Sequence, residues 1–198
     1  EYDAMNRLVR NIQEHFLAED QSAVGDGQAI TLTAWSDNSQ VLSSTNDNNH
    51  STQFDYDTTN RLRTTTDAKG NTVTNSYDAN NNRVGFHEVD KSDLGNPDQE
   101  FTTRFEYDGL NRPLAVIDNI GNTNRMFYDS RSNQVATVDA KGNRIEIIYD
   151  GLNRMLDTDR FMTDTGDGTG NVIDHIVTKQ YWDDSSRLVG QEDDNGNR

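Results

Sequence analysis

The sequence predicts an all-β chain, an antiparallel meander of β-hairpins. Three observations carry that expectation. An eight-residue phrase that opens on an aromatic residue and an acidic one returns along the whole chain. A turn signal falls every 10 or 11 residues through its middle. Between turns, apolar or aromatic residues alternate with polar ones at period two, the pattern of a strand whose two faces differ. A fixed repeat decides architecture before any local reading does.

The phrase is clearest as YDGLNRML, from Tyr149 and Asp150. It reads YDAMNRLV from Tyr2 and Asp3, YDTTNRLR from Tyr56 and Asp57, and YDANNNRV from Tyr77 and Asp78. It returns as YDGLNRPL from Tyr107 and Asp108 and as YDSRSNQV from Tyr128 and Asp129. Two weaker copies open on tryptophan: WSDNSQVL from Trp35, where Ser36 replaces the aspartate, and WDDSSRLV from Trp182 and Asp183. These lead aromatics, at 2, 35, 56, 77, 107, 128, 149 and 182, are spaced by 33, 21, 21, 30, 21, 21 and 33 residues. The unit is therefore 21 residues. Residues 1–198 are expected to form one array, beginning inside a lead phrase and ending inside a unit, as a piece of a longer array does.

A second phrase, D-x-x-G-N, follows eleven residues after each short-unit tyrosine. It places Asp67 and Gly70, Asp118 and Gly121, and Asp139 and Gly142; a further copy stands at 193–197 and a worn one, NDNNH, at 46–50. Both phrases are Asp, two free residues, then a residue that tolerates positive φ. Aspartate at the first turn position bonds backbone N–H groups further on. Glycine or asparagine at the fourth accepts the left-handed conformation of a hairpin loop.

Turns at this spacing leave strands of about six residues. Ile145, Ile147 and Tyr149 fall on one face at period two, as do Leu114 and Val116, Phe105 and Tyr107, Phe54 and Tyr56, and Met126 and Tyr128. Threonine fills many alternate positions. The one weak helical stretch, 11–18, has no C-cap signal and reads as strand or loop. Three long steps break the beat, each with a loop-rich centre: VGDGQ at 24–28, DLGNPD at 93–98 and DTGDGTGN at 164–171. They read as longer hairpins protruding at one edge, with about three units to each higher-order repeat.

Composition alone points elsewhere. Leu, Ile, Val and Phe make up just under a fifth of the 198 residues and the net charge is −16, figures typical of a disordered acidic chain. A disordered segment has no need of a fixed 21-residue beat, so the repeat outweighs them. Each unit buries little, and stability must come from stacking many. The acidic balance argues against nucleic acid as a partner. No apolar run is long enough to span a bilayer, which argues against membrane insertion. With no cysteine, disulfides and thiolate metal sites are excluded.

The two phrases in phase at a 21-residue period resemble the YD repeats, also called RHS repeats, of bacterial Rhs proteins, Tc toxin shell subunits and teneurins. The resemblance covers essentially the whole chain. It implies a segment of a spiralling β-sheet shell, in a secreted or cell-surface protein, whose partners are the adjacent repeats of the same chain and a C-terminal toxin enclosed by the shell. The Pro- and Asp-containing self-cleavage segment of bacterial members has no match here, the only prolines being Pro97 and Pro113. Neither self-cleavage nor toxic activity is carried over.

Each candidate site has two readings. The lead aromatics could form a sugar-stacking ladder; the plainer reading makes them the core aromatics of each unit, half-buried with wet hydroxyls. The aspartates that follow them could pair as catalytic carboxylates, but a catalytic pair is unique whereas these recur with every turn. Arg7, Arg61, Arg112, Arg154 and Arg187 follow the turns and read as solvated cross-strand partners. The 164–171 loop offers Asp164, Asp167 and Asn171 as calcium ligands, without the alternate-position spacing of an EF-hand. His15, His50, His87 and His175 form no zinc pattern. Glu88, Asp90 and Asp93 are the nearest to a non-repeated carboxylate cluster. No nucleophile, phosphate-loop or cofactor motif appears. The expected function is therefore non-catalytic, without cofactor or metal: a structural segment that encloses or displays another polypeptide. The alternative is an adhesive module for a surface glycan or protein, which exposed aromatics on one face would favour.

Overall fold

The computed structural model describes residues 1–16, 22–92, 95–164 and 171–198. Fifteen β-strands and no helix occur among them, and the pairings are antiparallel. The chain divides into two compact units, Glu1–Thr102 and Thr103–Arg198.

The first unit holds β1 (Arg10–Phe16), β2 (Ala23–Trp35), β3 (Val41–Thr45), β4 (Ser51–Tyr56), β5 (Leu62–Thr66), β6 (Thr72–Tyr77) and β7 (Arg83–Asp90). The boundary falls within β8 (Gln99–Tyr107). The second unit continues with β9 (Pro113–Ile117), β10 (Thr123–Tyr128), β11 (Gln134–Val138), β12 (Arg144–Tyr149), β13 (Met155–Thr163), β14 (Val172–Trp182) and β15 (Leu188–Glu192). In each unit, strand order in the sheet is sequence order, so every connection is a hairpin.

The 11–18 stretch lies in β1 as far as Phe16. VGDGQ, expected as loop, is instead strand: β2 starts at Ala23 and accommodates Gly25 (φ 67°) and Gly27 (φ 80°). The β1–β2 register shifts opposite this stretch, between Glu14 and Phe16. The physical reason is that glycine at positive φ serves a bulge inside a ladder as readily as a loop.

A register shift recurs before the lead aromatic in the hairpins that open on Trp35, Tyr56, Tyr77, Tyr107, Tyr128, Tyr149 and Trp182. In the β10–β11 hairpin, Phe127 pairs with Ala136 and Tyr128 with Gln134, leaving Val135 as the extra residue. This bulge strengthens the local twist and aims the lead ring along the sheet.

No second layer covers either face among the described residues. The only fully buried apolar side chains there are Ala115 and Ala136, each 3% exposed. Ala136 sits between Phe127 and Glu146 in adjacent strands, and Ala115 between Glu106 and Arg125. Long neighbours lie over short residues, so the burial is within one sheet. Order must come largely from backbone ladders and from the hairpin ends.

Candidate functional site

The chemistry of the chain is concentrated in its turns. Thirteen five-residue turns occur among the described residues, each with a positive φ at its fourth position. Asparagine or serine holds that position in nine of them and Gly70, Gly121, Gly142 and Gly196 in the others. Two backbone bonds close each turn; in the Asp108 turn, Asp108 N–H donates to the Arg112 carbonyl (3.0 Å) and Asn111 N–H to the Asp108 carbonyl (3.0 Å). The aspartate completes it. Asp108 Oδ1 accepts the N–H groups of Leu110 (2.8 Å) and Arg112 (3.0 Å), and Oδ2 accepts the Arg112 side-chain Nε (2.6 Å).

Asp3, Asp57, Asp150 and Asp183 repeat this pattern with Arg7, Arg61, Arg154 and Arg187. Asp67, Asp78, Asp118, Asp129 and Asp139 do so with an asparagine amide in place of the guanidinium. Ser36 and Asn46, which stand where other turns have aspartate, still accept from the fifth residue's N–H.

The arginines do more than the sequence suggests. Arg61 also donates from Nη1 to the Asp78 carbonyl (3.0 Å) and to Asn81 Oδ1 (2.9 Å), in the next lead turn. Its guanidinium lies 4.6 Å from the Tyr77 ring centroid. Arg112 repeats this on Asp129, Ser132 and Tyr128; Arg7 on Ser36, Ser39 and Trp35; Arg154 on Asp183, Ser186 and Trp182. Their side chains are only 17–25% exposed. They are therefore struts between successive lead turns, not solvated cross-strand partners. The planar fork makes this possible: one edge holds the turn's own carboxylate while the other reaches onward. In the turn after Tyr128, where Asn133 takes the arginine's place, Arg131 makes the reach to the Asp150 carbonyl (3.3 Å).

The lead rings close the same gap from below. Pairing of β5 with β6 ends at Thr64 and Thr74, leaving the Leu62 carbonyl without a ladder partner on that side. Tyr77 Oη donates to it (2.9 Å). Tyr56 caps Val41 and Tyr149 caps Gln134 in the same way. Trp35 Nε1 donates to Leu8 and Trp182 Nε1 to Met155. The hydroxyls of Tyr56, Tyr77 and Tyr149, expected to be wet, are thus committed to backbone carbonyls, because a carbonyl withdrawn from its ladder needs a donor. Tyr107 and Tyr128 are half-buried like the others. Tyr2 is the exception at 65% exposure, joined only by an isolated bridge to Leu8.

This saturation sets the electrostatics. Asp108 and Asp150 are held below the usual carboxylate range, first by the backbone N–H of the turn arginine and then by its guanidinium. The backbone N–H of Arg61, the Thr59 hydroxyl and the Arg61 guanidinium hold Asp57 far below it. For Asp78 and Asp129 the leading cause is the asparagine amide. Around Asp118 and Asp139, desolvation pushes upward but the turn's donors together outweigh it. A carboxylate whose oxygens already accept three donors is a poor base and a poor metal ligand.

Asp164 closes its long loop similarly, accepting Asn171 N–H at 3.0 Å, while Asp167 lies outside the described residues. Glu88 is half-buried in β7 and Asp90 exposed at its end; Asp93 also lies outside the described residues. Among the described residues no three metal-binding side chains converge. No helix among them is long and apolar enough to cross a membrane.

Two regularities escaped sequence reasoning although each left a signal. The eighth residue after a lead aromatic is small in most units (Ser43, Thr64, Gly85, Ala115, Ala136 and Gly190), because it faces the residue before that aromatic. A Cβ at Gly190 would meet the Tyr181 ring at 3.6 Å. The second turn position is Asp in the turns that follow the first and third long hairpins, against Ala68 and Ala140 after short ones. There Asp47 Oδ1 accepts Ile30 N–H (3.1 Å) and Asp194 Oδ1 accepts Val177 N–H (3.3 Å), where β2 and β14 outrun their neighbours.

No protein-family model matches the chain, and no curated protein matches it. Solved structures do. A chain in the structure of the Photorhabdus luminescens Tc holotoxin pore is 11% identical, with a TM-score of 0.67 over 96% of this chain and 11% of that one. A chain in the crystal structure of TcdB2-TccC3 without its hypervariable C-terminal region is 11% identical, with a TM-score of 0.53 over 95% and 12%. This chain spans about a tenth of the length of either. At such identity the likeness is one of fold: the open antiparallel sheet resembles the matched part of these toxin chains, consistent with RHS-type repeats.

Proposed function

We propose that the chain is a structural, non-catalytic segment of a secreted or cell-surface shell of the YD/RHS-repeat kind, whose wall encloses or displays another polypeptide. The observation that carries the reading is the strut system. Arg7, Arg61, Arg112 and Arg154, each held by the aspartate of its own turn, join one hairpin to the next across the following lead aromatic, which is what a continuous wall requires. The likeness of fold to Tc toxin chains supports the same reading. A toxin segment held behind the wall is the partner this implies. Against the sugar-stacking alternative, guanidinium groups lie over Trp35, Tyr77, Tyr128 and Trp182, so those ring faces are already occupied.

The test is protection. In the complete protein that contains residues 1–198, limited proteolysis should spare a segment outside the array while the wall is intact. Replacing Arg61, Arg112 and Arg154 together by alanine should expose it. Equal digestion of that segment in both proteins would defeat the proposal. Retention of the purified chain on immobilised glycans, lost on replacing the lead tyrosines, would establish the adhesive module instead.

A further inference from the structure

Two strands outrun a neighbour, one in each unit. β2 runs from Ala23 to Trp35, but β3 pairs with it only from Leu32 onward. β14 runs from Val172 to Trp182, but β15 pairs with it only from Lys179 onward. The earlier half of each strand is therefore laddered on one side and open on the other. Backbone groups of alternate residues point the same way in an antiparallel strand. The N–H groups of Ile30 and Val177, which bond Asp47 and Asp194, mark the open sides. An open edge of this kind is a template for another strand.

Both edges are covered in the same way. On β14 the N–H groups of His175 and Val177 are held by the carboxylates of Asp174 (2.8 Å) and Asp194 (3.3 Å). On β2 those of Gln28 and Ile30 are held by Asp26 (3.0 Å) and Asp47 (3.1 Å). In each case one aspartate belongs to the strand itself and the other to the turn past its short neighbour. Two other backbone N–H groups, of Lys91 and Ala140, are covered by asparagines, Asn71 (2.7 Å) and Asn124 (3.1 Å). An amide oxygen accepts an N–H as well as a carboxylate does, so satisfying the backbone does not account for the charge on the open edges.

The surroundings of the β14 edge favour a cationic visitor. Where β15 stops, Glu192 is answered by Arg198 (2.5 Å) and stands opposite Lys179, and Asp193 is engaged in its own turn. Asp174 and Asp194 hold only backbone N–H groups and have no cation among the described residues. Beside them lie a cleft of about 400 Å³, lined in part by Val177, Lys179, Glu192 and Asp194, and the exposed side chains of Val172, Ile173 and Ile176.

We propose that the open edge of β14 is a docking edge for an extended, basic segment of a partner protein, and that β2 offers a second edge of the same kind. A docking strand takes each edge N–H onto its own carbonyl and releases the carboxylate that held it. The released carboxylate then needs a cation. A strand with lysine or arginine between β-branched residues supplies one and lays apolar surface against Val172, Ile173 and Ile176. A neutral strand leaves the carboxylates to water, and an acidic one meets like charge, so the groups that admit a basic strand turn others away. A second copy of this chain brings its own Asp174 or Asp26 to the edge, and the carboxylates oppose that pairing.

The experiment is amide hydrogen exchange on the whole chain at neutral pH, titrated with a synthetic peptide of alternating valine and lysine or with its counterpart of valine and glutamate. Exchange at His175 and Val177 reads the β14 edge alone. The lysine peptide should slow it, and the glutamate peptide should not. Asp174→Asn with Asp194→Asn keeps both oxygen acceptors and should weaken lysine-peptide binding there about three- to tenfold, the worth of two partly exposed ion pairs. Asp37→Asn with Asp184→Asn removes the same charge from exposed lead-turn positions and should leave it unchanged. Lack of protection at His175 and Val177, or equal protection by the glutamate peptide, would overturn the proposal. So would equal weakening in the control variant, which would mean attraction by net charge alone. Protection that rises with protein concentration in the absence of peptide would overturn it in favour of a second copy.

Discussion

Replacing Arg61 by alanine should loosen the array between two hairpins while leaving the turn it belongs to in place. The turn keeps the Asp57 carboxylate on the N–H groups of Thr59 and Arg61, both backbone. What is lost, besides the local bond from Nε to Asp57 Oδ2 that the control variant below also loses in its own turn, is the strut: two bonds from Nη1 to the Asp78 turn and the guanidinium over Tyr77. Two such bonds contribute about 0.5–1.5 kcal/mol each and the ring contact about 0.5–1 kcal/mol. With the side chain a quarter exposed, the lower part of that range applies, a loss of about 2 kcal/mol. Arg187 is the control. It makes the same local pair with Asp183, but its side chain is 78% exposed and, among the described residues, it makes no bond to a second turn. Arg187→Ala should therefore change nothing measurable. Urea unfolding followed by circular dichroism, with hydrogen exchange to locate the loosened strands at β5 and β6, compares the two. Equal losses would mean that the arginines stabilise only their own turns, and the strut account would be wrong.

Tyr149→Phe removes the donor to the Gln134 carbonyl and should cost about 1 kcal/mol, seen as faster exchange where β11 and β12 diverge. The turn carboxylates give a pH dependence of definite sign. Their folded-state values are depressed, so their contribution is complete above the ordinary value of 3.8 and is lost as pH falls through the lower folded value. The sheet signal should hold from neutrality to about pH 5 and fail only below about pH 4, in an acid titration by circular dichroism; loss at about pH 5 to 6 would contradict the saturated-carboxylate picture. Asp47→Ala uncovers the Ile30 N–H on the free edge of β2 and should promote self-association, measured by sedimentation velocity; an unchanged monomer would show that edge to be protected otherwise.

Much of the fold was legible because its information is local. Each turn is specified by five consecutive residues, and spacing does the rest; Ile145, Ile147 and Tyr149 announce both strand and face. The struts were not legible. Arg61 and Asp78 are joined only because the intervening hairpin returns to the same edge, and no local pattern states how wide that gap is. The hydroxyls of Tyr56, Tyr77 and Tyr149 escaped for the same reason: the carbonyl of Leu62, for one, is orphaned by a splay that appears only once strands are paired. VGDGQ misled because glycine pairs mark bulges and loops alike, and only the partner strand decides which.

The struts keep a constant reach across hairpins of unequal length, and evolution can exploit that. Arg61 and Arg112 reach their targets across 17 residues of chain, Arg7 and Arg154 across 29, and the bonds made are the same. The twelve-residue difference lies entirely in hairpins that lengthen away from the lead turns. Chain length is thus a free variable on one rim and a fixed one on the other. Insertions, duplications of a loop or grafted epitopes can accumulate at the far rim without altering a single joint at the near one, so a lineage can elaborate one margin of the sheet while its seams stay in register.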